Sequence, residues 1–154
     1  MAIATAALVA TACGGSSPSR AAASPSPSPA TSSAATAATI KVATTALGQI
    51  LVDGNGMTVY LFVADTGASS TCYTSCAALW PPVLTTGAPQ AGAGANASLL
   101  GTTTRTDGKI EVTYAGHPLY YFVQDKSAGD TTGQGVNSFG ALWWVLTAAG
   151  AAIH

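Results

Sequence analysis

The fold is decided by a short stretch that the chain contains twice, as Tyr60-Leu61-Phe62-Val63-Ala64-Asp65 and as Tyr120-Tyr121-Phe122-Val123-Gln124-Asp125. The flanks repeat at the same spacing. Without gaps, the first copy aligns with the second at Gly48 and Gly108, Ile50 and Ile110, Val52 and Val112, and Gly56 and Gly116. Such self-similarity indicates a repeated structural unit. We therefore expect one domain built from repeat 1 (residues 40–85), a Gly/Ala-rich linker (86–97) and repeat 2 (98–147).

Each repeat is predicted to be a meander of about four strands. Apolar and polar residues alternate in Ile110-Glu111-Val112-Thr113-Tyr114, which places Glu111 on the polar face, and Asp53-Gly54-Asn55-Gly56 is a strong turn signal. The two aromatic positions of each repeated stretch share one face of their strand. Because one meander cannot bury that face alone, we predict an all-β fold in which both copies pack into one sandwich or partly closed barrel.

A tryptophan follows each meander, in Ala78-Leu79-Trp80-Pro81-Pro82 and in Ala141-Leu142-Trp143-Trp144-Val145. The prolines indicate that the first segment is an edge strand or an extended cover. Trp143 and Trp144 are neighbours and point to opposite faces of a strand, so they are not expected to share one core. An aromatic ligand platform is an alternative, but packing in the core is favoured. Residues 148–154 are expected to form a frayed tail.

The composition excludes some classes of function. Charged residues make up 7% of the 154 residues, against a norm of about 25%, and the net charge is −1. No basic surface is therefore expected for nucleic acid. No apolar run reaches the roughly 18 residues of a membrane-spanning helix. A surface of Thr, Ser, Gly and Ala fits an extracytoplasmic protein.

The N-terminal region is interpreted as a targeting signal followed by a spacer. Residues 1–12 form a short apolar segment that ends in small residues before Cys13, and this resembles the lipobox of a bacterial lipoprotein signal, whose cysteine becomes lipidated. The segment lacks a Lys or Arg, and Ala10 stands where Leu is usual. An incidental cysteine in a disordered Ala-rich terminus is the alternative. Residues 13–39, rich in Ser, Pro, Ala and Thr, are predicted to be a disordered, semi-rigid spacer.

Cys72 and Cys76 form a Cys-x-x-x-Cys pair. With Cys13 set aside for lipid, an even remainder outside the cytoplasm favours a structural disulfide, which would pin the segment so that Trp80 can dock. A redox-active dithiol is one alternative, although it usually has Cys-x-x-Cys at a helix N-terminus. A zinc site is another, with only His117 and His154 as further ligands.

Asp65 and Asp125 end the repeated strands at equivalent places. A carboxylate pair suits glycosidase-type acid–base chemistry, but one Asp per repeat at a turn favours a role in building the fold. A calcium loop with Ser127 and Asp130 is a minor alternative without EF-hand spacing. We predict no catalytic residue, metal or cofactor. Structural roles are predicted for the motif residues Tyr60, Phe62, Asp65, Trp80, Tyr120, Phe122, Asp125 and Trp143.

These motifs resemble a bacterial family of predicted lipoproteins with a Tyr-x-aromatic-x-x-Asp repeat, also described as a secreted repeat of unknown function. The resemblance rests on the repeated stretches, Cys72-Tyr73-Thr74-Ser75-Cys76, Trp80-Pro81-Pro82, Tyr114-Ala115-Gly116-His117-Pro118-Leu119, Gly129-Asp130 and Gly133-Gln134-Gly135. It implies a secreted or anchored lipoprotein and brings no established activity.

The function expected from these observations is that of a lipid-anchored, extracytoplasmic β-domain without enzymatic activity. It would bind an unknown envelope ligand or protein, or support the envelope, with the membrane contacted through the N-terminal lipid. The alternative is a redox-active envelope protein that uses Cys72 and Cys76. A hydrolase that uses Asp65 and Asp125 is a third hypothesis.

Overall fold

The computed structural model describes residues 37–154. The predicted signal segment, Cys13 and the spacer as far as residue 36 lie outside the described residues. Within residues 37–154 the elements are β1 Thr39–Thr45, β2 Gly48–Asp53, β3 Tyr60–Phe62, α1 Ser75–Leu79, β4 Gln90–Ala91, a 3-10 turn Ala97–Leu99, β5 Leu100–Thr104, β6 Ile110–Tyr114, β7 His117–Pro118, β8 Asn137–Ser138 and β9 Ala141–Val145. The predicted all-β class is confirmed.

The strands form three small sheets, with the orders β2-β1-β4, β3-β9-β8 and β5-β6-β7. No closed barrel forms in the described part of the chain. The hairpins β1–β2 and β5–β6 are the equivalent parts of the two repeats, and their turns contain Gly48 and Gly108 at positive φ. The segment predicted to be a linker joins the first sheet, because β4 pairs in parallel with β1 at Thr39 and Ile40.

The last extended segment of each repeat pairs with the other repeat. β9 of the second repeat runs antiparallel to β3 of the first. The first repeat reciprocates: its segment after Trp80 pairs with the second repeat, where Val83 N–H donates to the Leu119 carbonyl at 2.8 Å. Between these pairings, Tyr60 and Tyr120 exchange two backbone hydrogen bonds of 2.8 and 3.0 Å. The repeats are thus interlocked about an approximate twofold axis near Tyr60 and Tyr120.

The core has two hydrophobic clusters, because successive residues of a strand face opposite sides. The first contains a stack of four aromatic rings with successive centroid distances of 4.1, 4.0 and 4.2 Å, in the order Phe62, Trp143, Trp80 and Phe122. The second is mainly aliphatic and includes Ile40, Leu51, Leu61, Val83, Val112 and Leu146, together with Tyr114. As predicted, Trp143 and Trp144 lie on opposite sides of their strand. Trp143 is buried in the first cluster, whereas Trp144 is partly buried and packs against the second.

Two expectations are corrected. Before Trp80 the chain is helical in α1, and the predicted extended cover begins only with Pro81, where prolines end the helix. The tail is not frayed, since Ile153 N–H donates to the Val145 carbonyl at 3.0 Å and the Gln134 amide donates to the Ile153 carbonyl at 2.7 Å.

Candidate functional site

The repeated tyrosines and aspartates meet across the repeat boundary. The Tyr60 hydroxyl donates to Asp125 Oδ2 at 2.6 Å, and the Tyr120 hydroxyl donates to Asp65 Oδ2 at 2.5 Å. All four residues are buried. Burial, together with the negative carboxylates nearby, raises the pKa of both phenols, which therefore remain protonated donors.

The second oxygen of each carboxylate organises the turn that follows it, as the sequence predicted. Asp65 Oδ1 accepts hydrogen bonds from the backbone and hydroxyl of Thr71, at 2.7 and 2.6 Å. Asp125 Oδ1 accepts the same pair from Thr132, at 2.9 and 2.5 Å. Since both oxygens of each carboxylate have partners and only 5–6% of each residue is exposed, neither is presented to a substrate in this arrangement.

A buried ion pair extends the network on one side of the approximate twofold axis. Arg105 Nη1 lies 2.7 Å from Glu111 Oε2 and also donates to Ser70 Oγ at 2.7 Å. Ser70 Oγ is 2.6 Å from the Tyr120 hydroxyl, which connects the pair to the Tyr120–Asp65 bond. In the gapless alignment Thr45 and Leu51 occupy the equivalent places in the first repeat, so the pair breaks the internal symmetry.

Glu111, which alternation places on the polar face of its strand, is fully buried. Its carboxylate faces the polar groups of Arg105, Ser70, Asp65 and Tyr120. Burial raises the pKa of Glu111 to about 7, against the opposing effect of the Arg105 guanidinium. Glu111 Oε1 and Arg105 Nε are buried without a hydrogen-bond partner among the described residues.

The cysteines are joined in a Cys72–Cys76 disulfide, as predicted for this pair. The ring that this bond closes is fixed on two sides. Trp80 N–H donates to the Cys76 carbonyl at 2.7 Å, and Arg105 Nη2 donates to the Cys72 carbonyl at 2.7 Å. The guanidinium also lies 4.4 Å from the centre of the Tyr73 ring, within range of a cation–π contact.

The residues considered for metal binding are placed elsewhere. Among residues 37–154, no group of three His, Cys, Asp or Glu side chains converges in a way that could hold a metal ion. His154 packs edge-on against Trp144, with ring centroids 4.9 Å apart. Asp130, considered as a calcium ligand, accepts the backbone N–H groups of Lys126 and Ser127 through Oδ2, each at 2.8 Å. Asp130 thereby shapes its own turn.

Two surface clefts meet at Leu84, which is 42% exposed. One has a volume of about 310 Å³ and is lined on its polar side by Asp53, Asn55 and Tyr121. The other has a volume of about 520 Å³ and is mainly apolar, with Ile110 and the stem of Lys109 in its wall. Neither cleft was predictable from the sequence, because their walls come from segments far apart in the chain.

The family resemblance is confirmed. A family model described as a secreted repeat of unknown function matches residues 41–84 and 101–147, which coincide with the two repeats, and the chain belongs to this family. The family is described as secreted. No curated protein and no solved structure matches the chain. None of the helices within residues 37–154 is long and apolar enough to cross a membrane.

Proposed function

We propose that this protein is a lipid-anchored, extracytoplasmic β-domain that acts by binding an envelope ligand or protein, without catalysing a reaction. The anchor part of the proposal rests on the small residues before Cys13 and on the Ser/Pro-rich spacer after it. Pro-rich linkers are in general extended, semi-rigid spacers, and such a spacer would hold a folded domain away from the membrane.

The observation that carries the non-enzymatic part is the reciprocal burial of the repeated tyrosines and aspartates. A general acid or base must reach the reacting group of its substrate. In Asp65 and in Asp125, one carboxylate oxygen accepts a hydrogen bond from a tyrosine and the other from a threonine. The tyrosine and aspartate of the repeated motif therefore hold the repeats together. The accessible clefts lie elsewhere, around Leu84.

The anchor is tested by expressing the full chain in a bacterium that processes lipoproteins and analysing the membrane fraction by mass spectrometry. We expect a mature chain that begins at a diacylated Cys13. Cys13→Ser is the matched control and should leave an unlipidated chain. A wild-type chain that retains Met1 and stays in the soluble fraction would refute the anchor.

The binding role is tested by a thermal-shift screen of the folded protein against envelope glycan, peptide and lipid fragments. A ligand of the clefts should raise Tm in the wild type and fail to do so in Leu84→Ser, which changes the wall shared by both clefts. Val63→Ser changes an exposed apolar residue that lines neither cleft and serves as the control. Turnover of any fragment that depends on Asp65 or Asp125 would overturn the non-enzymatic reading.

A further inference from the structure

Thr74, inside the ring closed by the Cys72–Cys76 disulfide, has an unfavourable backbone conformation. Its φ and ψ are 52° and −115°, and it is one of three residues other than glycine with positive φ in residues 37–154. Cys76 N–H donates to the Tyr73 carbonyl at 3.0 Å, which closes a turn over Thr74 and Ser75. These angles are close to the first central position of a type II′ turn, about 60° and −120°, where glycine is preferred. A β-branched residue is strained at this position.

Thr74 is also the N-cap residue of α1, yet its side chain makes no capping hydrogen bond. Threonine is normally a good N-cap, because with extended backbone angles its hydroxyl accepts a backbone N–H of the first turn. In the closed ring, the hydrogen-bonded turn from Tyr73 to Cys76 holds Thr74 away from those angles. Opening the ring would let Thr74 relax and cap the helix, so the reduced form has local interactions that the oxidised form lacks.

We propose that the Cys72–Cys76 bond is a reactive site for thiol–disulfide exchange with an extracytoplasmic dithiol, and that its reduction loosens the contact between the two repeats. Strained disulfides are more easily reduced than relaxed structural ones, and they are the regulatory or labile class. The strain at Thr74 assigns this bond to that class. The inference does not depend on the lipid anchor or on the clefts around Leu84.

The exposure of the two cysteines sets the direction of attack. Cys72 is fully buried, whereas Cys76 keeps 6% of its surface, beside the exposed Thr74 and Ser75. A thiolate of the dithiol attacks Cys76 Sγ, a mixed disulfide forms, and Cys72 leaves as a thiolate. The second thiol of the reductant then displaces Cys76. The dithiol is oxidised to its disulfide, and the two cysteines end as thiols with the two protons that the dithiol gives up.

Arg105 fixes the backbone of Cys72, the cysteine that leaves. Its guanidinium is hydrogen-bonded to the Cys72 carbonyl at 2.7 Å. Arg105 is a positioning residue here, since it contacts the backbone of Cys72.

Reduction affects the contact between the two repeats because the carbonyls at both ends of the disulfide ring accept hydrogen bonds from residues of that contact. Through the Cys76 carbonyl the ring holds the Trp80 backbone, and the Trp80 ring stacks on Phe122 and Trp143 of the second repeat. Through the Cys72 carbonyl it holds Arg105, which also belongs to the second repeat. An open ring weakens both connections at once.

The proposal is tested by equilibrating the folded, full-length protein with glutathione buffers and counting free thiols by alkylation and mass spectrometry. We expect the wild type to be reduced within the range of these buffers. Thr74→Gly should shift the dithiol–disulfide equilibrium about tenfold towards the disulfide, which corresponds to roughly 30 mV, because glycine adopts the turn without strain. Ala115→Gly is the matched control: Ala115 also has a positive φ, of 50°, but lies outside the ring, so its replacement should leave this equilibrium unchanged.

The structural consequence is tested by amide hydrogen exchange of the oxidised and reduced wild type. Reduction should speed exchange at Trp80 and Thr71 while β1 and β2 stay protected. If the wild type stays oxidised at every glutathione ratio, or if Thr74→Gly and Ala115→Gly shift the equilibrium equally, the bond is an inert staple and the proposal is wrong. Unchanged exchange at Trp80 after reduction would overturn the coupling to the repeat boundary. The wild-type titration decides the first point even if Thr74→Gly fails to fold.

Discussion

Tyr60 of the first repeat donates a hydrogen bond from its hydroxyl to Asp125 of the second, and Tyr120 of the second repeat donates the equivalent bond to Asp65 of the first. In each repeat the tyrosine and the aspartate are five residues apart, yet both bonds are made between repeats. A single copy therefore lacks the partner of its own tyrosine hydroxyl and of one oxygen of its aspartate. The Tyr-x-aromatic-x-x-Asp motif is thus a device by which two copies recognise each other.

The first prediction concerns the Tyr60–Asp125 bond. Asp125→Asn turns one accepting oxygen into an NH₂ group, so one of its three buried hydrogen bonds is lost or reversed. We expect the free energy of unfolding to fall by about 1.5–3 kcal/mol, as for hydrogen bonds to charged groups. Urea denaturation followed by tryptophan fluorescence measures this change, and Asp65→Asn should have a similar effect through Tyr120.

A double-mutant cycle separates this bond from other consequences of the substitution. Tyr60→Phe combined with Asp125→Asn should be less destabilising than the sum of the single changes, because the two residues share one bond. Asp107→Asn, at a carboxylate that is 41% exposed, is the control and should change stability by less than about 0.5 kcal/mol. Strictly additive effects would contradict the pairing.

The second prediction compares adjacent tryptophans. Trp143 is fully buried and its ring lies 4.0 Å from that of Trp80, at an interplanar angle of 2°. Trp143→Ala should therefore cost about 3–5 kcal/mol of stability. Trp144→Ala removes a partly buried ring on the opposite face and should cost clearly less. Thermal denaturation of both variants tests the order, and equal losses would argue against the stacked arrangement.

The repeats, the turns and the aromatic faces were predictable because they depend on local periodicity. Tyr60 and Phe62 alternate with Leu61, and this pattern correctly separates the two clusters. The exchange of terminal segments was not predictable, since it depends on which repeat supplies the partner of β3. Periodicity describes the faces of a strand but does not identify its neighbour.

The polar network shows the same limit. Alternation in β6 separates Glu111 from the apolar face of the strand, but it does not show that Glu111 is buried in an ion pair with Arg105. The signal that was available is the rarity of charge: in a chain with 7% charged residues, an Arg and a Glu close together in one repeat and missing from the other indicate a specific pair. The conformation of Thr74 was not predictable, because a threonine is unusual at the first central position of the turn that it occupies.

The third prediction follows from the exchange of segments. A fragment of residues 37–97 exposes the aromatic face that repeat 2 covers, and residues 98–154 expose the equivalent face. We expect neither fragment to show near-UV circular dichroism or cooperative melting alone, and an equimolar mixture to recover both. A first-repeat fragment that melts cooperatively as a monomer would show that the repeats are independent domains.

The fourth prediction concerns the pH dependence of stability. Burial raises the pKa of Glu111 to about 7, above the value near 4.3 expected for an unfolded chain. Between these two values the folded protein binds a proton at Glu111 more readily than the unfolded chain does. This contribution to stability is complete below about pH 4.3, declines as pH rises to about 7, and is absent above that.

Glu111→Gln removes the titration and keeps the size and the accepting oxygen of the side chain. Other groups titrate in the same range, so the informative quantity is the difference between wild type and variant. Relative to Glu111→Gln, the wild type should lose on the order of 2 kcal/mol of unfolding free energy between pH 4.5 and 7.5. Arg105 and Asp65, the charged groups near Glu111, and Ser70 and Tyr120, its polar neighbours, are unchanged in the variant. Asp107→Asn should keep the wild-type slope. If instead the wild type gains stability over this range relative to Glu111→Gln, the Arg105 charge outweighs burial and the pKa of Glu111 is lowered.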